Sequence, residues 1–204
     1  EAGILLGFSN YSGDVAEKIV EISETRPGFG IFARYHFSSR FALKSNLYTG
    51  NISGTDAHAD DPQIKARSLR FKSNLLELSL AMEWNFLNIK AVQGNGIQNF
   101  RVVPYFYLGI GGLMMHPKAE YYGPPEAFNK QIKYALPEDG LHEKALILPI
   151  GAGLRAQISE RVNIGAEAGW RPVFSDDLDG VSKNGNRDRN DWYYSATATL
   201  SFRF

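Results

Sequence analysis

Asn190-Asp191-Trp192-Tyr193-Tyr194-Ser195-Ala196-Thr197-Ala198-Thr199-Leu200-Ser201-Phe202-Arg203-Phe204 closes the chain, and its two faces decide the fold. Every second residue from the end gives Phe204, Phe202, Leu200, Ala198, Ala196, Tyr194 and Trp192. The residues between them are Arg203, Ser201, Thr199, Thr197, Ser195 and Tyr193. A period of two predicts a strand, because successive side chains leave opposite sides of the pleat. The apolar row begins and ends in aromatics and is about as long as a strand needs to cross a bilayer, roughly 9–11 residues. The last strand of a soluble sandwich would also have an apolar and a polar face. The aromatic ends and the final Phe204 favour the membrane-spanning reading.

Composition bounds the rest. The 204 residues show no internal break and predict one domain, residues 1–204. With no Cys there is no disulfide framework, thiolate metal site or cysteine nucleophile. Lys and Arg balance Asp and Glu at 22 each, without a basic run, so nucleic acid is not an expected partner. No apolar run approaches the roughly 18 residues of a membrane helix. Mean hydropathy is −0.27. A barrel escapes that test because half of each strand faces a polar lumen. No export signal stands at Glu1, and a removed one is expected.

Taken in order, Ala2 to Tyr11 reads as a first strand with Ala2, Ile4, Leu6 and Phe8 on one side. Val15 to Arg26 reads as a loop. Pro27 opens a second strand with Phe29, Ile31, Ala33, Tyr35 and Phe37 outward and Arg34 and His36 inward. A tight turn, Ser38-Ser39-Arg40, leads to a third strand, Phe41 to Tyr48, and then to a polar loop, Asn51 to Arg67, expected to contribute nothing to a core. The fourth strand, Ser68 to Leu87, carries Leu76, Leu78, Leu80, Met82, Trp84 and Phe86 on one row and Glu77, Ser79, Ala81, Glu83 and Asn85 on the other. A connection from Asn88 to Arg101 precedes a fifth strand, Val102 to Met114, in which Pro104 needs a strand start or a bulge. His116 to Glu143 reads as the longest loop. The sixth strand is Lys144 to Ile158, the turn is Ser159-Glu160-Arg161, and the seventh strand is Val162 to Val173. A loop from Ser175 to Arg189 leads to the closing strand.

Eight strands, joined alternately by tight turns and long polar loops, predict an all-β, eight-stranded antiparallel barrel of outer-membrane type, both ends on the short-turn rim. A lipocalin-type barrel has the same strand number but turns its apolar row inward around a ligand. The charged row decides between them together with the aromatic ends. Arg34, Lys44, Glu77, Glu83, Arg155, Glu167, Arg171 and Arg203 all fall opposite the apolar row, and inside a narrow barrel they would pair into a plug. A proton or ion path along the same groups is the sharper alternative.

Other constellations point to little chemistry. His36, His58, His116 and His142 make no metal-ligand spacing. Gly109-Ile110-Gly111-Gly112 and Gly151-Ala152-Gly153 lack phosphate-loop spacing and lie in strands, where they serve packing. Asp56, Asp60 and Asp61 lack the spacing of a calcium loop. No catalytic residue, metal or cofactor is expected. A lipid-modifying barrel would need a lipid-facing nucleophile and base, which the rows do not offer.

Several pieces carry a resemblance. The ending with Tyr194, Leu200, Phe202 and Phe204 resembles the terminal strand by which outer-membrane barrels are read by the barrel-assembly machinery. Phe8-Ser9-Asn10-Tyr11-Ser12-Gly13-Asp14, Arg26-Pro27-Gly28-Phe29-Gly30-Ile31-Phe32-Ala33-Arg34-Tyr35 and Phe71-Lys72-Ser73-Asn74-Leu75-Leu76-Glu77-Leu78 are three further pieces. With Pro104-Tyr105-Phe106-Tyr107-Leu108-Gly109-Ile110-Gly111, Pro149-Ile150-Gly151-Ala152-Gly153 and Asn190-Asp191-Trp192-Tyr193, the chain resembles the PorG-like small barrels of Bacteroidota. That family is associated with type IX secretion and gliding. The resemblance implies a non-enzymatic barrel in the outer-membrane lipid, its periplasmic rim contacting a ring of a PorK-like lipoprotein and a PorN-like protein. The contact would then fall on Ser39, Arg40, Lys90, Gln93, Asn95, Arg101, Glu160 and Arg161. A free-standing barrel, acting as a surface adhesin or narrow pore, is the alternative; a lipid-modifying enzyme is the third.

Overall fold

The computed structural model describes residues 1–12, 24–58, 65, 68–87, 89–90, 101–128, 143–175 and 192–204. Ten β segments follow in order: β1 Ala2–Ser12, β2 Arg26–His36, β3 Phe41–Thr55, β4 Leu69–Trp84, β5 Ile89–Lys90, β6 Arg101–Tyr121, β7 Glu143–Ile147, β8 Ile150–Gln157, β9 Val162–Pro172 and β10 Trp192–Phe202. Each antiparallel neighbour follows the last around the wall, β4-β3-β2-β1-β10-β9-β8-β6, and β4 pairs with β6 to close it. β7 and β8 both pair with β6 and form one interrupted stave, and β5 pairs only with the first two residues of β6, so the barrel has eight staves. The closing seam joins the two ends of the chain, from Ala2 opposite Phe202 to Ser12 opposite Trp192. The predicted fold class stands.

The apolar row faces outward. Ile4, Leu6 and Phe8, then Phe29, Ile31 and Tyr35, and Leu78, Leu80, Leu108 and Ile110 are all exposed, while the alternating residues are buried. A soluble monomer rarely exposes a contiguous apolar patch beyond a few hundred Å². Here the band encircles the wall, so the inward-apolar alternative is excluded. On β4 it runs from Leu76 to Phe86 and on β6 from Pro104 to Met114, each the length of a spanning strand. Trp84, Phe86 and Phe106 cluster at its lower border, where outer-membrane barrels carry a girdle of aromatic residues.

Two staves are taller than expected, and β4 has the height its alternation predicted. β3 continues to Thr55 and β6 to Tyr121, so the stretches predicted as loops after Asn51 and His116 begin as paired strand. Along this extension the polarity inverts: Leu69, Phe71 and Leu75 point inward, while Arg70, Lys72 and Asn74 point out. Ile52, from the loop predicted to add nothing to a core, is fully buried with Tyr11, Leu113, Met115, Ile147, Val173 and Tyr193. The outside of this upper storey is polar, so its apolar side chains go inward as in a soluble barrel. Asp56, considered as a calcium contact, is buried and accepts a hydrogen bond from the Leu69 backbone N–H at 3.1 Å.

Two prolines explain local irregularities. Pro149 divides β7 from β8, and its carbonyl accepts from Gly109 N–H at 2.8 Å. Pro104 lies opposite the gap between the end of β4 and β5, where the missing donor leaves no ladder bond unmade on that side. Glycine has a defined role at Gly153: a Cβ there would stand 2.6 Å from the Tyr105 hydroxyl, so a larger residue would displace that ring from the lumen.

Candidate functional site

The lumen holds four carboxylates and four cations in three tiers. In the upper tier Glu77 of β4 accepts from Arg171 Nε of β9 at 2.7 Å, from the Tyr193 hydroxyl of β10 at 2.7 Å and from the Ser79 hydroxyl at 2.6 Å. Arg171 also donates to Ser195. In the middle tier Glu167 of β9 accepts from Lys44 Nζ at 2.5 Å and from the Tyr105 hydroxyl at 2.6 Å. Below it Glu83 receives Arg34 Nε at 2.9 Å and Arg155 Nη1 at 3.3 Å, and Arg155 Nη2 also donates to Asn85 at 3.1 Å. Arg34 reaches on to Glu1 through Nη1 at 2.6 Å. Phe32 lies beneath both Arg34 and Lys44, with the cations 4.9 and 4.6 Å from its ring centre.

These contacts follow from register. Glu77 and Glu83 are six residues apart, and an even spacing on one strand keeps both in the lumen. The partners come from β2, β3, β8 and β9, which only closure brings opposite β4. Seven of the eight residues predicted for the network occupy it: Arg34, Lys44, Glu77, Glu83, Arg155, Glu167 and Arg171. Arg203 does not; it lies past the end of β10, is exposed, and sits at the rim. Glu1 is the carboxylate that sequence reading missed, because it precedes the first alternating residue. Tyr105 and Tyr193 lay on the polar row and were legible there.

The upper apolar cluster caps the ion-pair tiers, so the lumen is filled from one storey to the other. At the rim that carries the chain ends it opens into a cavity of about 360 Å³, lined by His36, Ser39, Asn85, Arg155, Gln157 and Arg203 among others. Among the described residues no group of acids and histidines could hold a metal ion. Ser39, Arg40, Glu160 and Arg161 are exposed on this rim. The backbones of Lys90 and Arg101 pair beside it. Gln93 and Asn95 lie outside the described residues, as does most of the Asn88 to Arg101 connection. Tyr194, Leu200, Phe202 and Phe204 share the outward row of the last strand, with Phe204 almost fully exposed.

Glu1 gives the rim a pH dependence. Burial would raise its carboxyl pKa, but His36 at 3.0 Å, Arg34 and the Ser201 hydroxyl stabilise the charged form more, and the net shift is well below the usual carboxylate range. A carboxyl depressed on folding stabilises the barrel above its unfolded pKa, roughly 4.3 for Glu. That contribution disappears as the pH falls toward the folded value. Urea titrations of wild type and Glu1→Gln are therefore expected to differ most at neutral pH and to converge as the pH drops below about 4.

A closed eight-stranded wall, apolar outside and packed with ion pairs inside, defines the class: a small β-barrel of outer-membrane type. The chain belongs to the family described as "Domain of unknown function (DUF6089)", which matches residues 1–204. Among solved structures, Neisserial surface protein A is similar at a TM-score of 0.53 and 10% identity, over 100% of this chain and 96% of the other. Ail, the attachment invasion locus protein of Yersinia pestis, gives 0.46 and 11%, over 100% and 97%. The N-terminal β-barrel domain of Pseudomonas aeruginosa OprF gives 0.41 and 14%, over 100% and 97%. At such identities the likeness concerns the fold alone, and of these three the Neisserial protein carries it. No curated protein matches the chain in sequence.

Proposed function

We propose that this protein is a non-enzymatic, non-conducting outer-membrane anchor that works through its rims. In the type IX secretion and gliding machinery it would hold a periplasmic ring of PorK-like and PorN-like proteins against the outer membrane. The observation behind this reading is the filled lumen: among the described residues, Glu77, Glu83 and Glu167 are all committed to cations and, with the apolar cluster above them, leave no conduit through the barrel. What remains available to a periplasmic partner is the rim with the short turns, where Ser39, Arg40, Glu160 and Arg161 stand in solvent. The choice of ring as partner rests on the sequence resemblance. The same resemblance assigns the row Tyr194, Leu200, Phe202 and Phe204 to the barrel-assembly machinery.

Pull-down of the tagged barrel from envelope membranes, with identification of what accompanies it, tests the anchor. Ring proteins are expected to co-purify, and Arg40→Glu with Arg161→Glu is expected to lower their recovery about tenfold or more without changing the amount of folded barrel. Recovery of the barrel alone would sink the anchor. The raised ends of β4 and β6 favour one second reading, a free-standing barrel acting from the opposite, external side. In that case trimming residues 122–142 abolishes function and leaves any ring intact.

A further inference from the structure

The outer wall carries a step in charge that anchoring a ring does not use. Leu76 and Met114 face each other at the top of the apolar band, and above them come the pairs Asn74–His116, Lys72–Lys118 and Arg70–Glu120. Arg70 and Glu120 satisfy one another at 2.8 Å. Lys72 and Lys118, both exposed, stand directly opposite each other, and among the described residues neither has an ion-pair partner. Lys144 of β7 is exposed on the same face, opposite Met114 and two residues above the outward Leu146.

Like charges directly across an antiparallel pair destabilise it. Folding gains nothing from this arrangement, whereas a bound anion would. Height narrows the choice of anion. Lys72 is four residues beyond Leu76, about 13 Å along the strand and less along the membrane normal, because barrel strands tilt. The headgroup layer is roughly 5–8 Å deep, and lysine stems reach several ångströms from their backbone toward it. Among the described side chains, the opposite border of the same staves turns Trp84, Phe86 and Phe106 outward and no cation. The asymmetry therefore points to the leaflet away from the chain ends.

We propose that this face of β4, β6 and β7 binds the phosphorylated glycolipid of the outer leaflet. Its phosphates lie on Lys72, Lys118 and Lys144, and its acyl chains run down Leu76, Leu78, Met114 and Leu146. The proposal rests on the outer-membrane reading of the barrel and adds a ligand to it.

The test uses the full chain folded into neutral phosphatidylcholine bilayers, with bis-phosphorylated lipid A titrated and its retention measured by native mass spectrometry. Dephosphorylated lipid A, phosphatidylglycerol and inorganic phosphate serve as competitors. Wild type is expected to retain the bis-phosphorylated lipid selectively. The triple variant Lys72→Gln, Lys118→Gln, Lys144→Gln is expected to bind it roughly a hundredfold more weakly, with unchanged heat-modifiable mobility, since each lysine near a charged surface contributes about a factor of five. Equal binding by the triple variant overturns the site, and so does equal competition by phosphatidylglycerol or by inorganic phosphate. Failure to insert into the bilayer would instead remove the membrane reading itself, whereas insertion without selectivity removes only the glycolipid.

Discussion

Glu83→Ala is expected to lower the unfolding free energy of the barrel by about 3–5 kcal/mol. Glu83 is fully buried, and its carboxylate is shared by Arg34 and Arg155, both themselves buried. Removing it leaves the Arg155 guanidinium with Asn85 and no carboxylate at the inner end of the rim cavity, while Arg34 keeps Glu1. The large effect is that of an uncompensated charge and does not measure the net contribution of the pair. Burying a complete ion pair costs desolvation that its attraction only roughly repays. Urea unfolding in detergent micelles, followed by loss of heat-modifiable mobility, gives the difference directly. Glu83→Gln, which keeps one acceptor oxygen and loses the charge, should fall between wild type and Ala. A Glu83→Ala barrel as stable as wild type would mean that the lower tier is hydrated and the lumen is not sealed there.

Leu80→Arg tests the wall from the other side. Leu80 lies on the outward row of β4 about midway between Leu76 and Trp84, paired with Ser45 and Ile110. An arginine facing lipid near the bilayer midplane costs about 2–4 kcal/mol. Lys72→Arg, on the same strand and the same outward row but in the upper storey, is expected to change stability by no more than about 0.5 kcal/mol. The contrast between the two reports where the bilayer ends along one strand. If both substitutions were neutral, the exposed apolar band would not be meeting lipid at all.

The two results bear on function through the same structural fact. A lumen closed by charge below and by Ile52, Leu75, Met115 and Ile147 above leaves the barrel rigid and occupied. Its working surfaces are then the rims and the outer wall. The rim near the chain ends is polar and open, and it is the surface the proposed periplasmic partner would meet. The lysine face on the far side is the surface proposed to meet lipid headgroups.

Much of this was legible in the residues themselves. Alternation in Trp192 to Phe204 and in Leu76 to Phe86 defined strands, because a pleated backbone sends neighbours to opposite sides whatever surrounds it. Even spacing likewise placed Glu77, Glu83 and their partners on one row. The polarity inversion also left a trace: Leu75-Leu76 and Met114-Met115 are adjacent apolar pairs, and they are cross-strand partners in the wall. Where two consecutive apolar residues interrupt alternation, the apolar face changes sides. Read with Arg70, Lys72 and Asn74 beyond them, they mark the point where the strand leaves the lipid.

The sequence alone determined the strand pattern, the eight staves and the separation of charged from apolar rows, since these depend only on local backbone geometry. Closure decided the rest. Which row met lipid, which glutamate met which arginine, and how high β3 and β6 rise beside β4 were set when β4 paired with β6 and β1 with β10. Arg34 and Glu83 are 49 residues apart, and Lys44 and Glu167 are 123 apart. No periodicity within a strand encodes such distances. They exist because a sheet that curls onto itself brings opposite staves within reach of one side chain.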